Sequence, residues 1–245
     1  MGEFTSADTL PVAEQFGPTI QGEGPHAGKV SQFIRLGTCN LACSWCDTPY
    51  TWDERRYNLA RETPPVAVED LVERATPEML TIISGGEPLM HQRKPAWLRL
   101  LRGLDDRGCT IHLETNGTLE PNTVTRTYAT AAAVSPKLGN AGTHRRGQRP
   151  DLHPGWAAYV RSSRDRLARR AFLKFVVATA EEVNASAEYA QRAGWPRDRV
   201  WVMPQGTGVE ELQSRWPAIA RRAADVGVNA THRIHVLAFG DTKGT

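Results

Sequence analysis

Met79–Pro88 reads MLTIISGGEP. The run is rich in apolar residues, too short for a helix, and stops on two glycines and a polar pair. That is the pattern of a buried strand ending at a turn. The pattern recurs along the chain. Val30–Leu36 (VSQFIRL) reads as a strand, as does Cys109–Glu114 (CTIHLE) before Thr115-Asn116-Gly117. Ala132–Ser135, Phe172–Val177 and Val200–Met203 are further short strands, and Arg233–Phe239 (RIHVLAF) is expected as the last. Segments with helical spacing lie between them: Val68–Ala75, Pro95–Arg107 with Gly108 as a stop, Thr123–Ala131, Thr179–Ala193 and Val209–Val226. Strand–helix alternation of this kind predicts an α/β fold, a parallel sheet with helices outside it. Six or seven parallel strands suit a partial (β/α) barrel. The doubly wound alternative lacks its G-x-G-x-x-G fingerprint after the first strand. Polar signatures follow several strand ends: SGGEP, ETNG, SPK and MPQG. In parallel α/β folds, sites form at those carboxyl ends, so the signatures are expected to line one pocket.

The chain has 245 residues, enough for a single barrel domain, with an irregular arginine-rich insertion near 138–170. Its net charge of +3 is too weak to argue for direct nucleic-acid binding. The segment MGEFTSADTLPVAEQ has no apolar core of a signal peptide, and no run approaches the roughly 20 apolar residues of a membrane span. A cytoplasmic protein with reduced thiols and no membrane association is expected. Of the four cysteines, Cys109 lies in an apolar run and reads as core.

The other three form C-x3-C-x2-C at Cys39, Cys43 and Cys46. A structural zinc site takes four ligands, and a fourth would have to come from His26 or His91. A redox pair needs C-x-x-C and leaves Cys39 idle. Three thiolates on an iron–sulfur cluster leave one iron for something other than protein, whereas ordinary electron-transfer clusters close all four corners with cysteine.

C-x3-C-x2-C with an aromatic between its last two cysteines resembles the signature of the radical S-adenosylmethionine enzymes, and Ser84-Gly85-Gly86-Glu87-Pro88 resembles their GGE segment. The resemblance implies a 4Fe-4S cluster whose open iron chelates S-adenosyl-L-methionine. It also implies a 5′-deoxyadenosyl radical that takes hydrogen from substrate. FGPTIQGEG (Phe16–Gly24), Phe33-Ile34-Arg35, Cys46-Asp47-Thr48 and the downstream ETNGT, SPK and MPQ are similar to one family within that group, the 7-carboxy-7-deazaguanine synthases. That family contracts the ring of 6-carboxy-5,6,7,8-tetrahydropterin to 7-carboxy-7-deazaguanine with loss of ammonia, in 7-deazapurine (queuosine-type) biosynthesis. It uses Mg2+ and an electron donor such as flavodoxin or ferredoxin, and forms homodimers. The likeness runs from Phe16 to the C-terminus, with 138–170 poorly anchored. It departs at Phe239-Gly240-Asp241, where relatives carry W-G-N.

Carried over, the resemblance makes Cys39, Cys43 and Cys46 the cluster ligands and Thr48 a magnesium ligand. It sets Ile20, Gln21, Gly22, Glu23, Arg35, Ser84 and Thr245 on substrate. Around S-adenosylmethionine it sets Trp45, Cys46, Asp47, Gly86, Glu87, Glu114, Asn116, Ser135, Pro136, Lys137, Met203, Pro204 and Gln205. The chemistry suits these roles. A carboxylate such as Glu23 accepts from the amino edge of a pterin, and Gln21 can donate and accept. Arg35 can grip a carboxylate with a bidentate fork. Lys137 is a cation for the methionine carboxylate or the ribose, and magnesium prefers oxygen ligands such as Thr48. A radical activase acting on a partner protein would share the cysteines and SGGEP but would not need TIQGEG. A non-catalytic metal module would leave SGGEP, SPK and TIQGEG without a purpose.

Overall fold

The computed structural model describes residues 8–145, 147, 148, 150–240 and 242–244. The chain opens with β1 (Thr9–Ile20) and β2 (Val30–Leu36), then α1 (Leu59–Glu62), β3 (Pro65–Ala67), α2 (Val68–Arg74) and β4 (Leu80–Gly85). It continues through α3 (Pro95–Asp106), β5 (Thr110–Thr115), α4 (Thr123–Tyr128) and β6 (Ala131–Val134). After α5 (Pro154–Ser162) and α6 (Arg166–Arg170) come β7 (Ala171–Val177), α7 (Ala180–Arg192), β8 (Val200–Pro204), α8 (Val209–Val226), β9 (Asn229–Ala230) and α9 (Ile234–Phe239). Among the described residues the strands form one sheet of nine, in the order β3-β1-β2-β4-β5-β6-β7-β8-β9. From β2 to β9 every neighbouring pair is parallel. The two ends do not pair, so the sheet is a partial barrel, as expected.

The period of two along each strand divides the molecule. Ile34, Leu36, Ile83, Ile111, Leu113, Leu173, Phe175 and Val202 face the helices and form the core with Trp97, Leu100 and Leu104 of α3. Residues of opposite parity on the same strands face the concave side: Arg35, Ser84, Glu114, Ala133, Lys174 and Met203. Small Ala131 and Ala133 leave room there. Helix starts follow local chemistry: Thr179 caps α7 by accepting from Glu182 N–H, and Asn122 caps α4 by accepting from Thr125 N–H.

Two sequence expectations change, and one strand escapes the sequence pattern. The α4 helix ends at Tyr128, and Ala131, placed in that helix by its spacing, opens β6. Arg233–Phe239, expected as the last strand, is instead the helix α9. The edge beside β8 is taken by the two-residue β9, and the chain then turns across the strand ends, where Ile234 N–H donates to Gly22 C=O at 3.0 Å. The alternation of Arg233, His235 and their apolar neighbours imitates a strand, yet Leu237 and Phe239 stay exposed. β1 escapes the strand pattern because Pro11, Gly17 and Pro18 interrupt it; it pairs antiparallel with β2, with register shifts on either side of Phe16. No helix among the described residues is long and apolar enough to cross a membrane.

Candidate active site

The carboxyl ends of β2, β4, β5, β6, β7 and β8 surround a cavity of about 420 Å³. Cys39, Cys43 and Cys46 line one part of it, on the loop after β2. Two backbones clamp this loop to the end of β4. Gly86 N–H donates to Leu36 C=O at 3.0 Å, and Glu87 N–H to Thr38 C=O at 2.7 Å. The approach is so close that a Cβ on Gly86 would lie 1.9 Å from Thr38 O, which is why glycine stands there. From the other side, the turn at Gly139–Gly142 supports the loop. Ser44 N–H and Oγ both donate to Ala141 C=O, and Ala42 N–H donates to His144 Nδ1 at 3.2 Å. The start of the irregular 138–170 region is therefore a brace for the cysteines.

No three His, Cys, Asp or Glu side chains among the described residues are placed to hold a single metal ion. The zinc reading loses its geometry: His91 is buried and spends Nε2 on Gly37 O at 2.9 Å, while His26 packs against His112 with ring centres 4.4 Å apart. The thiols instead suit a larger group. N–H donors point at their sulfurs: Leu41 N–H at Cys39 Sγ (3.4 Å) and Trp52 Nε1–H at Cys46 Sγ (3.3 Å). Such donors stabilise thiolate on an iron–sulfur cluster. Without metal, burial pushes the Cys39 thiol up to about 12 and raises that of Cys43, so loading a cluster displaces protons.

Next to the cysteines, Lys137 Nζ donates to Ser135 Oγ at 2.9 Å and lies 5.2 Å from the Trp45 ring centre. Gly86, Asn116, Glu114, Asp47 and Met203 also line the cavity. Pro136, Pro204, Gln205 and Glu87 do not appear in its lining. Glu87 has a different duty. It is fully buried, and its carboxylate accepts from Leu89 N–H, Thr115 Oγ1 and Asn116 N–H at 3.0, 2.7 and 2.6 Å. It ties the SGGEP loop to the ETNG loop rather than reaching into the cavity.

Ile20, Gln21, Gly22, Glu23, Arg35 and Ser84 line another part of the cavity. Thr245 lies outside the described residues. Arg35 Nε donates to Glu14 at 2.8 Å, and Tyr50 Oη donates to the same carboxylate oxygen at 2.5 Å. Among the described residues, the terminal nitrogens of Arg35 have no hydrogen-bond partner. Ser84 Oγ, Trp45 Nε1 and His235 Nδ1 are buried without a partner, and all three residues line the cavity. Buried polar atoms rarely go unpaired, so these three are donors or acceptors left available to a molecule in the cavity.

Sequence reading missed the charges that hold this wall. Lys174 of β7 donates to Glu23 and lies 3.7 Å from Glu114. Arg233 donates to Glu23 at 2.9 Å, to Asp47 at 2.7 Å and to Gly206 C=O at 2.7 Å. Burial favours a neutral Glu23, but Lys174, Arg233 and His235 hold its carboxyl far below the usual range. Burial likewise opposes the Lys174 charge, yet Glu114 and Glu23 raise its pKa above the ordinary lysine value. The FLKFVV strand shows one lysine in an apolar run, and that lone buried charge is the one local hint; what it faces comes only from the fold. Below this layer, His26, His112 and Phe172 fill the floor. Burial and the neighbouring His26 lower the His112 pKa to about 3, so that imidazole is neutral at neutral pH.

Residues 33–136 match the Radical SAM superfamily. A 7-carboxy-7-deazaguanine synthase of Hyperthermus butylicus is 38% identical over 235 residues, covering 93% of this chain and 92% of its own. One from Pyrobaculum aerophilum is 31% identical, covering 92% and 93%. The crystal structure of QueE from Escherichia coli superimposes with a TM-score of 0.60 at 24% identity, over 91% of this chain and 93% of that one. At that identity the superposition speaks for the fold alone.

Proposed function

The chain belongs to the 7-carboxy-7-deazaguanine synthase family of radical S-adenosylmethionine enzymes, and we propose that it converts 6-carboxy-5,6,7,8-tetrahydropterin to 7-carboxy-7-deazaguanine with release of ammonia. The observation that carries this reading is one cavity with three thiols along one part and a buried, charged wall of TIQGEG residues along another. Its volume of about 420 Å³, partly walled by residues of α9, suits a cofactor's reactive end and a bicyclic ring better than a segment of a partner protein.

When bound, the family's 4Fe-4S cluster and S-adenosyl-L-methionine supply a 5′-deoxyadenosyl radical that takes a hydrogen atom from substrate. The protein supplies orientation. Cys39, Cys43 and Cys46 would hold the cluster. Lys137, steadied by Ser135, presents a cation to the methionine carboxylate. Trp45 Nε1, unpartnered, is a donor beside it. The terminal nitrogens of Arg35 can clasp the substrate carboxylate as a fork. Ser84 Oγ offers a hydroxyl. Glu23 remains ionised, and a carboxylate has about four lone-pair sites, so its two cations do not exhaust it. It can still accept from the amino edge of the pterin. Thr48 Oγ1 is the proposed magnesium ligand. Arg233 already engages the neighbouring Asp47, so the ion would complete its shell with water and substrate oxygens. A one-electron donor of the flavodoxin or ferredoxin type, a homodimeric assembly and a cytoplasmic location complete the proposal.

The test is anaerobic reconstitution with iron and sulfide, followed by incubation with reductant, S-adenosylmethionine and 6-carboxytetrahydropterin. 7-Carboxy-7-deazaguanine is expected. An intact cluster that cleaves the cofactor without yielding this product would overturn the proposal. Cys43→Ala is expected to lose the cluster's absorbance and its iron; full iron retention would remove Cys43 from the ligand set.

A further inference from the structure

We propose that Trp52, through its indole N–H on Cys46 Sγ, sets the reduction potential of the cluster at this site. The inference rests on the iron–sulfur reading above and gives one of its sulfur donors a specific effect. The contact is 3.3 Å long. An indole N–H donates and never accepts, and when buried it normally finds an oxygen. Trp97 and Trp156 follow that habit, donating to Thr125 Oγ1 at 3.0 Å and to Leu119 C=O at 2.7 Å, whereas Trp45 and Trp195 leave theirs without a partner among the described residues. Trp52 instead spends its donor on sulfur. A neutral thiol is a weak acceptor, so this arrangement is worth most when Cys46 carries the negative charge of a metal-bound thiolate.

The donor is held in place rather than left to wander. Trp52 N–H bonds Pro49 C=O at 3.1 Å, closing the short turn Pro49–Thr51. The Arg145 guanidinium lies over the ring at 5.6 Å, and Glu54 anchors it at 3.1 Å. Among the described residues no other N–H reaches Cys46 Sγ. The ring is partly exposed.

The physical consequence has a sign. Taking up one electron increases the negative charge on the cluster sulfurs. A fixed N–H donor stabilises that reduced state more than the oxidised one and raises the potential. Removing the donor while keeping the ring should lower it. Letting water in would do the reverse, because water stabilises the added charge. The two causes therefore move the midpoint in opposite directions.

The experiment compares the reconstituted wild-type chain with Trp52→Phe, and with a chain carrying benzothienylalanine at position 52. That residue keeps the shape of indole but has sulfur in place of N–H. Iron and sulfide are counted, and the midpoint is read by redox titration followed by electron paramagnetic resonance. Full iron in both variants is expected, with a lower midpoint in the benzothienyl variant and a smaller fall in Trp52→Phe, whose smaller ring also admits water. A tenfold fall in the ratio of reduced to oxidised cluster at fixed potential corresponds to 59 mV for one electron. An unchanged or raised midpoint in the benzothienyl variant would overturn the inference. So would loss of iron from both variants with the fold intact, since Trp52 would then be a structural support. If the wild-type chain itself took up no iron, the underlying cluster reading would fall, and this inference with it.

Discussion

Glu23 and Glu87 both follow a glycine in short Gly-Glu motifs, and the fold gives them opposite work. Glu23 sits between Lys174 and Arg233 in the cavity wall and is held ionised. Glu87 has no cation within salt-bridge distance among the described residues; burial pushes its pKa up while three donors satisfy its oxygens. Glu87→Ala would strand a buried Thr115 hydroxyl and the Asn116 and Leu89 amides. At about 1–3 kcal/mol for each orphaned group, the loss should be on the order of 3 kcal/mol or more, read as a fall in denaturation midpoint. A loss under about 1 kcal/mol would contradict that role. Arg35 is tested by function. Arg35→Ala should weaken pterin binding about tenfold or more, the worth of a charged hydrogen bond, with little change in S-adenosylmethionine affinity. Equal losses for both ligands would argue against a substrate fork. The three cysteines stood out by their spacing, whereas Arg35 and Ser84 were nominated by the family resemblance; the fold brings all five to one cavity. Lys174, Arg233 and His235 were not legible, because a charge is functional only by virtue of what faces it.

At the scale of elements, most strands and helices were readable to within a residue or two. Hydrophobic period and caps act locally, and β7, α7 and α8 obey both. α9 was misread because its residues answer to two surroundings at once: Arg233, His235 and Val236 line the cavity, while Leu237 and Phe239 stay exposed. Its seat depends on Gly22. A Cβ there would stand 1.6 Å from His235 Nδ1. Gly22→Ala is therefore expected to push α9 off the cavity, weakening substrate binding while the cluster still loads. Unaltered binding in that variant would mean α9 does not wall the site. The brace at Gly139–His144 is the converse case: nothing in its sequence marks it, and its role comes from lying against Ser44 and Ala42.

For the whole molecule, the buried charge layer links stability to pH. The folded pKa of Glu23 lies below its ordinary 4.5, so its contribution is present above pH 4.5 and drains away on acidification. Lys174, raised above its ordinary 10.5, contributes below that pH and is lost as alkali strips its proton. The denaturation midpoint should accordingly fall as pH drops below about 4.5. Glu23→Gln should make that acid limb shallower while lowering stability at neutral pH, where Lys174 and Arg233 lose their shared partner. An unchanged acid limb would mean Glu23 is not the titrating group. Sequence by itself determined the strand–helix alternation, the three thiols with an open fourth corner, and the gathering of polar signatures at strand ends. Each is a local property, carried by residue type and spacing. Tertiary structure alone decided that Lys174 and Arg233 converge on Glu23, that Glu87 clamps two loops, and that Trp52 points at Cys46. Those pairings join residues as far apart as 23 and 233, and no local pattern encodes which charge a folded sheet will bring opposite another.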